Sequence, residues 1–214
     1  MSEHPLRPVG LSSQPVDFKI LPPLSLYIHI PWCVRKCPYC DFNSHEVRAA
    51  LPENEYINAL IRDLELSLPD IWGRKIYTVF FGGGTPSLLS GEGVERILRS
   101  VRTLLPLDMN AEITLEANPG TVEAVKFAAY RDAGVNRLSL GIQSFNDDHL
   151  RALGRIHTAD EARQAIDIAQ RHFDNFNLDL MYGLPPSPQP SPTRGEGVRP
   201  LSPCGRGLGR GGKI

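Results

Sequence analysis

Tyr27-Ile28-His29-Ile30-Pro31-Trp32-Cys33-Val34-Arg35-Lys36-Cys37-Pro38-Tyr39-Cys40 places three cysteines within eight residues, directly after a short β-branched and aromatic run. Three thiolates at C-x3-C-x2-C spacing suit three irons of a cubane [4Fe–4S] cluster, which leaves the fourth iron for a ligand that is not protein. An open iron marks a cluster that does chemistry, whereas four protein ligands usually mark an electron carrier. Two other uses of the thiols compete. A structural zinc site takes four ligands, often as paired C-x2-C knuckles; here there is one triplet, with His29 or His45 as a candidate fourth donor. Disulfides need an oxidising compartment, and Met1-Ser2-Glu3-His4-Pro5 starts no charged-then-apolar signal segment, so disulfides are not expected.

Outward from the cysteines the chain alternates strand and helix patterns. Leu24–Ile30 reads as a strand stopped by Pro31. Residues 53–68 carry Tyr56, Ile57, Leu60, Ile61, Leu64 and Leu68 at helical spacing. A second strand at 76–81 ends in Gly82-Gly83-Gly84-Thr85-Pro86, and helical spacing returns over 92–105. A third strand at 111–117 is broken by Asn118-Pro119-Gly120, and Thr121 is a natural N-cap for a helix to about Ala133. A fourth strand is expected at 135–142. Thr158-Ala159-Asp160-Glu161 is a capping-box pattern that opens a helix to about His172, and a fifth strand falls at 175–181.

This repetition implies an α/β fold of parallel strands with right-handed crossover helices. Both a doubly wound sheet and a (β/α) barrel satisfy it. The polar residues favour the barrel, whose chemistry gathers at the C-terminal ends of the strands. The cysteine loop follows the first strand and the glycine run follows the second. Glu116 closes the third, Gln143 follows the fourth and Asp179 lies late in the fifth. One such residue means little, but five in register point to a single site.

The 214 residues suffice for one sizeable domain. The chain is 41% hydrophobic and 22% charged with net charge −1, which gives no reason to expect nucleic-acid binding. No apolar run approaches the roughly 20 residues of a membrane span, and a cytoplasmic setting is expected. Three regions differ in character: a Pro-rich leader (1–22), a folded core (23–183) and a Pro/Gly/Arg-rich tail (184–214). In the tail five basic residues (Arg194, Arg199, Arg206, Arg210, Lys213) face one acid, Glu196. Such a stretch buries too little apolar surface to offset its ordering entropy, so it is expected to be disordered and of unrelated origin. Cys204 lies within it and is a poor ligand candidate.

Taken singly, each polar residue also has a plain structural reading. The glycine run lacks the Lys-Ser/Thr of a P-loop and the spacing of G-x-G-x-x-G; it is either a tight turn or a backbone that a ligand's charged end approaches closely. Glu116, Gln143 and Asp179 either face solvent at strand ends or accept hydrogen bonds from a ligand hydroxyl. Arg155 is either a surface arginine or a bidentate carboxylate donor. Tyr27 and Tyr39 flank the cysteines and either pack or bind, and His29 reads as a satisfied strand histidine.

The stretch from Leu24 to Ser44, together with Gly82-Gly-Gly-Thr-Pro-Ser-Leu-Leu89, Glu116-Ala-Asn-Pro-Gly120, Gly141-Ile-Gln-Ser-Phe145, Leu153-Gly-Arg-Ile-His157 and Asn177-Leu-Asp-Leu-Met181, resembles the HemW branch of the radical S-adenosylmethionine (SAM) superfamily in block order. The resemblance covers about residues 21–185. It implies a [4Fe–4S] cluster on Cys33, Cys37 and Cys40. It also implies SAM contacts from Tyr27, Tyr39, Gly83, Gly84, Thr85, Glu116, Gln143, Arg155 and Asp179. The fold it implies is a partial (β/α)6 barrel followed by a C-terminal domain.

Two departures matter. The related oxygen-independent coproporphyrinogen III dehydrogenase carries a fourth cysteine two residues past the third; Phe42 stands there. That matches the branch whose members look like heme chaperones, passing heme to acceptor proteins, with an electron donor such as a flavodoxin feeding the cluster. The second departure is that the sixth strand and the C-terminal domain, with the family's heme-binding motif, have no counterpart in the sequence. An open sheet edge at the fifth strand is expected. Three functions follow as alternatives: a HemW-like heme chaperone, a coproporphyrinogen dehydrogenase of porphyrin biosynthesis, and an inactive fragment.

Overall fold

Successive residues of a strand face opposite sides of its sheet, and this chain uses that alternation in the same sense on five strands. The computed structural model describes residues 19–48, 50–71, 73–120 and 125–184. In chain order the elements are β1 (Leu24–Ile30), β2 (Trp32–Cys33), β3 (His45–Glu46), α1 (Glu53–Ile71), β4 (Ile76–Gly83), a 3-10 turn (Pro86–Leu88), α2 (Gly91–Leu104), β5 (Leu107–Ala117), α3 (Phe127–Ala133), β6 (Arg137–Gln143), α4 (Asp147–Ala152), α5 (Ala159–His172) and β7 (Phe176–Leu180).

The main sheet has the order β1-β4-β5-β6-β7 with every pair parallel. Chain order and spatial order coincide, so the sheet has no switch point of the doubly wound kind. It is the partial barrel of the sequence reading, five strands wide among the described residues. One face is apolar. Ile28, Ile30, Val79, Phe81, Ile113, Leu115, Leu138, Leu140 and Ile142 share a core with Val94, Ile97, Leu98 and Val101 of α2 and Ala162, Ala165 and Ala169 of α5. The alternate positions form the other face. Tyr27, Phe80, Thr114 and Arg137 make one cross-strand row, and Glu116, Ser139 and Asn177 make another.

Local chemistry explains the element ends. Thr158 and Glu161 form the expected capping box, and Ser90 and Asn146 cap α2 and α4 through their side chains. The fourth strand begins at Arg137 and not at 135, because the chain first closes α3. Gly134 adopts φ 109°, and the Val135 N–H donates to the Tyr130 carbonyl at 3.0 Å. Asn136 then spans to β5, accepting from the Ile113 N–H and donating to the Ala111 carbonyl. β5 starts four residues earlier than expected, at Leu107, which pairs with Ile76 before an irregularity lets the ladder resume at Thr78 and Glu112. The short helix α4 has no counterpart among the expected elements.

β7 is the far edge. Its residues are only partly buried and Leu180 is exposed, whereas Leu138, Leu140 and Ile142 of neighbouring β6 are fully buried. The Thr121 cap, nearly all of the leader (1–18) and the tail from 185, with Cys204, lie outside the described residues.

The turn after β4 is clamped from α3. Lys126 Nζ donates to the carbonyls of Ser87, Leu88 and Leu89 at 3.0–3.2 Å, and the buried Tyr130 hydroxyl lies 2.7 Å from the carbonyls of Ser87 and Leu89. Tyr130→Phe keeps the packing and removes that donor. It is expected to cost about 1–2 kcal/mol in urea unfolding; an unchanged midpoint contradicts the clamp.

Candidate functional site

The cysteine loop is seated by an extension of the β1–β4 ladder. Past Gly83, the Gly84 N–H donates to the Ile30 carbonyl and the Thr85 N–H to the Trp32 carbonyl, both at 2.7 Å. A Cβ at Gly84 would lie 2.5 Å from the Trp32 oxygen and 3.1 Å from Cys33 Sγ, so only glycine lets the two segments meet. Gly83 adopts φ +115°. The glycine run is thus a close approach of backbone to the cysteine loop.

The loop's return is tied down separately. Trp32 and Cys33 pair in parallel with His45 and Glu46. The Lys36 N–H donates to Glu46 Oε1, and Lys36 Nζ donates to the carbonyls of Phe42 and Ser44. Cys33 is buried, Cys37 and Cys40 are half-buried, and all three are free thiols. Among the described residues no three His, Cys, Asp or Glu side chains converge on a point that would hold a single metal ion. A cubane places a different iron on each thiolate, so its ligands need not converge in that way.

Behind the loop opens a cleft of about 170 Å³. Cys33, Cys37, Tyr39 and Cys40 line it from the loop, and Gly83, Gly84 and Thr85 from the end of β4. Glu116, Gln143 and Asp179 line it from β5, β6 and β7, and Arg155 from the segment after α4. Tyr27 does not line this cleft. It sits two residues deeper on β1, where its ring stacks with Phe80 and its hydroxyl lies 3.0 Å from His29 Nδ1. The His29 Nε2 lies 2.9 Å from the Asn43 carbonyl, so that nitrogen carries the hydrogen, Nδ1 accepts, and the Tyr27 hydroxyl donates to it. His29 is therefore the satisfied strand histidine expected.

The ionisable groups are tuned mainly by burial. It pushes the Glu116 carboxyl up; the Gly83 N–H opposes this, and nearby Asp179 adds to it. Burial also raises the Tyr39 phenol, with Arg155 opposing and Cys37 reinforcing. His157 is held down at about 4 by burial and by the Arg155 charge, and its Nε2–H donates to the Ile142 carbonyl. Asp179 accepts from Ser139 Oγ at 3.1 Å and from Asn177 Nδ2 at 2.8 Å. Gln143 is the one described non-glycine residue with positive φ, 64°. Such conformations cost roughly 1–3 kcal/mol and cluster at functional sites.

Arg155 is held from three sides. Its Nη2 donates to Asn118 Oδ1 at 2.5 Å and to the Gly141 carbonyl at 2.7 Å, while Nη1 lies 3.6 Å from Cys37 Sγ. Its Nε is buried with no partner. A buried donor without an acceptor is costly, and a ligand carboxylate in the cleft would satisfy it. Asn118 and Ser139 also line the cleft and were not singled out in the sequence. For Ser139 the signal was its place as a polar residue between the apolar Leu138 and Leu140. Nothing local marked Asn118, which reads as a strand-breaking neighbour of Pro119.

A model of the radical SAM superfamily matches residues 27–189. The chain belongs to the radical SAM superfamily. It is 56% identical over 166 residues to the heme chaperone HemW of Escherichia coli and 55% identical over 170 residues to that of Haemophilus influenzae. Each match covers 77% of this chain and 44% of the relative, so the chain spans less than half the length of these proteins. Among solved structures it is similar to the E. coli coproporphyrinogen III oxidase HemN, described as a radical SAM enzyme. The TM-score is 0.70 at 33% identity, covering 76% of this chain and 38% of that one. The radical SAM family uses a [4Fe–4S] cluster and SAM. The unpartnered Arg155 donor and the three thiols at the cleft mouth fit that pair.

Because its pKa is raised above the ordinary 4.5, Glu116 favours folding most when protonated, and that contribution fades as pH rises through its folded pKa. Glu116→Gln is therefore expected to raise the melting temperature of the cofactor-free chain at neutral pH, with the gain shrinking as pH falls toward 4.5. Thermal melts across that range check it; a gain that grows toward acid contradicts the burial argument.

Proposed function

We propose that Cys33, Cys37 and Cys40 ligate a [4Fe–4S] cluster whose fourth iron takes SAM, and that the chain serves heme handling of the kind named for its HemW relatives. The observation that carries this reading is the single cleft. Eleven of the twelve residues expected from the sequence line it, drawn from β4, β5, β6 and β7, from the cysteine loop that follows β1, and from the segments after β4 and α4. When bound, the cluster and SAM supply one-electron reduction and cleavage of the sulfonium. The chain's own residues bind and orient. Arg155 offers its unpartnered Nε–H to the SAM carboxylate, and the carboxylates of Glu116 and Asp179 accept from ribose hydroxyls. Thr85 and the backbone around Gly83 and Gly84 receive the ammonium end, and Tyr39 closes the loop side.

Heme transfer to an acceptor protein, reduction by a donor such as a flavodoxin, and a cytoplasmic setting belong to the same proposal. No described helix is long and apolar enough to cross a membrane. The likeness to HemN favours a second reading, oxidative decarboxylation of coproporphyrinogen III. Phe42, an exposed phenyl where that enzyme's motif carries a further cysteine, opposes it; a turnover assay separates the two.

Anaerobic reconstitution of the chain is expected to yield about four irons and four sulfides per chain. Alanine at Cys33, Cys37 or Cys40 is expected to abolish this, and Cys204→Ala to leave it intact. Cluster loading that survives the triplet substitutions overturns the ligand assignment. Because the family's heme-binding motif has no counterpart here, titration with hemin tests the heme part of the reading separately: a saturable Soret shift supports it, and no binding confines the chain to cluster and SAM.

A further inference from the structure

Asn118 joins two parts of the cleft that no strand pairing connects. It follows directly on β5, at whose end Ala117 is buried. Its Nδ2 donates to Thr85 Oγ1 at 3.2 Å, beyond β4, and its Oδ1 accepts from Arg155 Nη2 at 2.5 Å, beyond α4. An amide is the one small side chain that donates to a hydroxyl at one end while accepting from a guanidinium at the other. Thr85 is itself buried, with its N–H committed to Trp32 beside Cys33. Asn118 thus links the seat of Cys33 to the arginine that faces Cys37.

The consequence for Arg155 is geometric. Both hydrogens of Nη2 are taken, by Asn118 and by the Gly141 carbonyl. The planar guanidinium is thereby fixed in rotation, which turns Nη1 toward Cys37 Sγ and leaves Nε as the unused buried donor. Without Asn118, Nη2 keeps only the Gly141 carbonyl, and with the long 3.6 Å contact to Cys37 that holds the plane of the group less firmly. A cation donating to a ligating sulfur stabilises the reduced, more negative cluster and raises its potential.

We propose that Asn118 is a positioning residue: it locks the Arg155 guanidinium so that one edge supports the cluster through Cys37 while the remaining buried donor, Nε, is kept for the carboxylate of SAM in the cleft that Arg155 lines. This rests on the function proposed above. Two effects follow that loss of packing alone would not produce together. The cluster potential falls, and SAM binding weakens, while the cluster still assembles.

The test uses the full chain, reconstituted anaerobically, as wild type, Asn118→Ala and Asn118→Asp. Iron content, SAM affinity by equilibrium dialysis and cluster potential by EPR-monitored titration are read for each. Asn118→Ala is expected to load iron as wild type does, to bind SAM about tenfold more weakly, the equivalent of one oriented hydrogen bond, and to shift the potential to more negative values. Asn118→Asp keeps the acceptor for Arg155 and is expected to recover most of the SAM affinity. Wild-type affinity and potential in Asn118→Ala overturn the inference, as does an Asn118→Asp variant as weak as the alanine one. If Asn118→Ala yields no soluble chain, Asn118→Ser, too short to reach Arg155, takes its place. A wild-type chain that loads iron but binds no SAM overturns the functional reading itself, which distinguishes that failure from failure of the inference.

Discussion

Two backbone hydrogen bonds carry the site: Gly84 to Ile30 and Thr85 to Trp32. They continue the β1–β4 ladder beyond the last paired residues and so turn a regular sheet edge into the floor of the cysteine loop. The approach they enforce leaves no room for a Cβ at Gly84, with Cys33 Sγ beside it. The loop's return is held within the loop itself, where the Lys36 ammonium gathers the Phe42 and Ser44 carbonyls. Lys126 and Tyr130 fix its other side by holding the turn after β4. The glycines serve first to bring protein to protein; a ligand then meets a surface already formed.

The sheet supplies the rest by alternation. Ile28, Phe81, Leu115 and Leu138 must face the helices to bury their side chains, a gain of the order of 1.5–3 kcal/mol each. Their neighbours must then face the other way. In most folds that second face would be solvated or apolar. Here it is polar and concave, so Glu116, Ser139, Asn177 and Asp179 are held near one another at a cost visible in the raised Glu116 carboxyl. The positive φ of Gln143 and the unpartnered Arg155 Nε are further local costs. A sheet built only for stability would have relieved them, and their convergence on one cleft is what a ligand site requires.

Much of this was legible in the sequence because strand and helix periods are local. The five main strands, the capping box at Thr158 and the shared rim of Glu116, Gln143 and Asp179 follow from residues a few positions apart. Harder to read were features set by distant partners. The late start of β6 depends on Gly134 and Asn136 closing α3 against β5, and α4 depends on the Asn146 cap. Tyr27 was expected in the cleft, yet it lies two residues before the strand's last pleat on that face, with its hydroxyl committed to His29, and does not line the cavity. Asn118 was invisible because both its partners lie more than thirty positions away, in opposite directions along the chain.

The central claim is that the ends of five parallel strands build one site in which an open iron and SAM meet. Low-temperature EPR of the reduced, reconstituted chain, recorded with and without SAM, tests it most directly. The account predicts a [4Fe–4S] signal whose g-values change on adding SAM, because the ligand sits on the cluster. A cluster signal identical with and without SAM would contradict it.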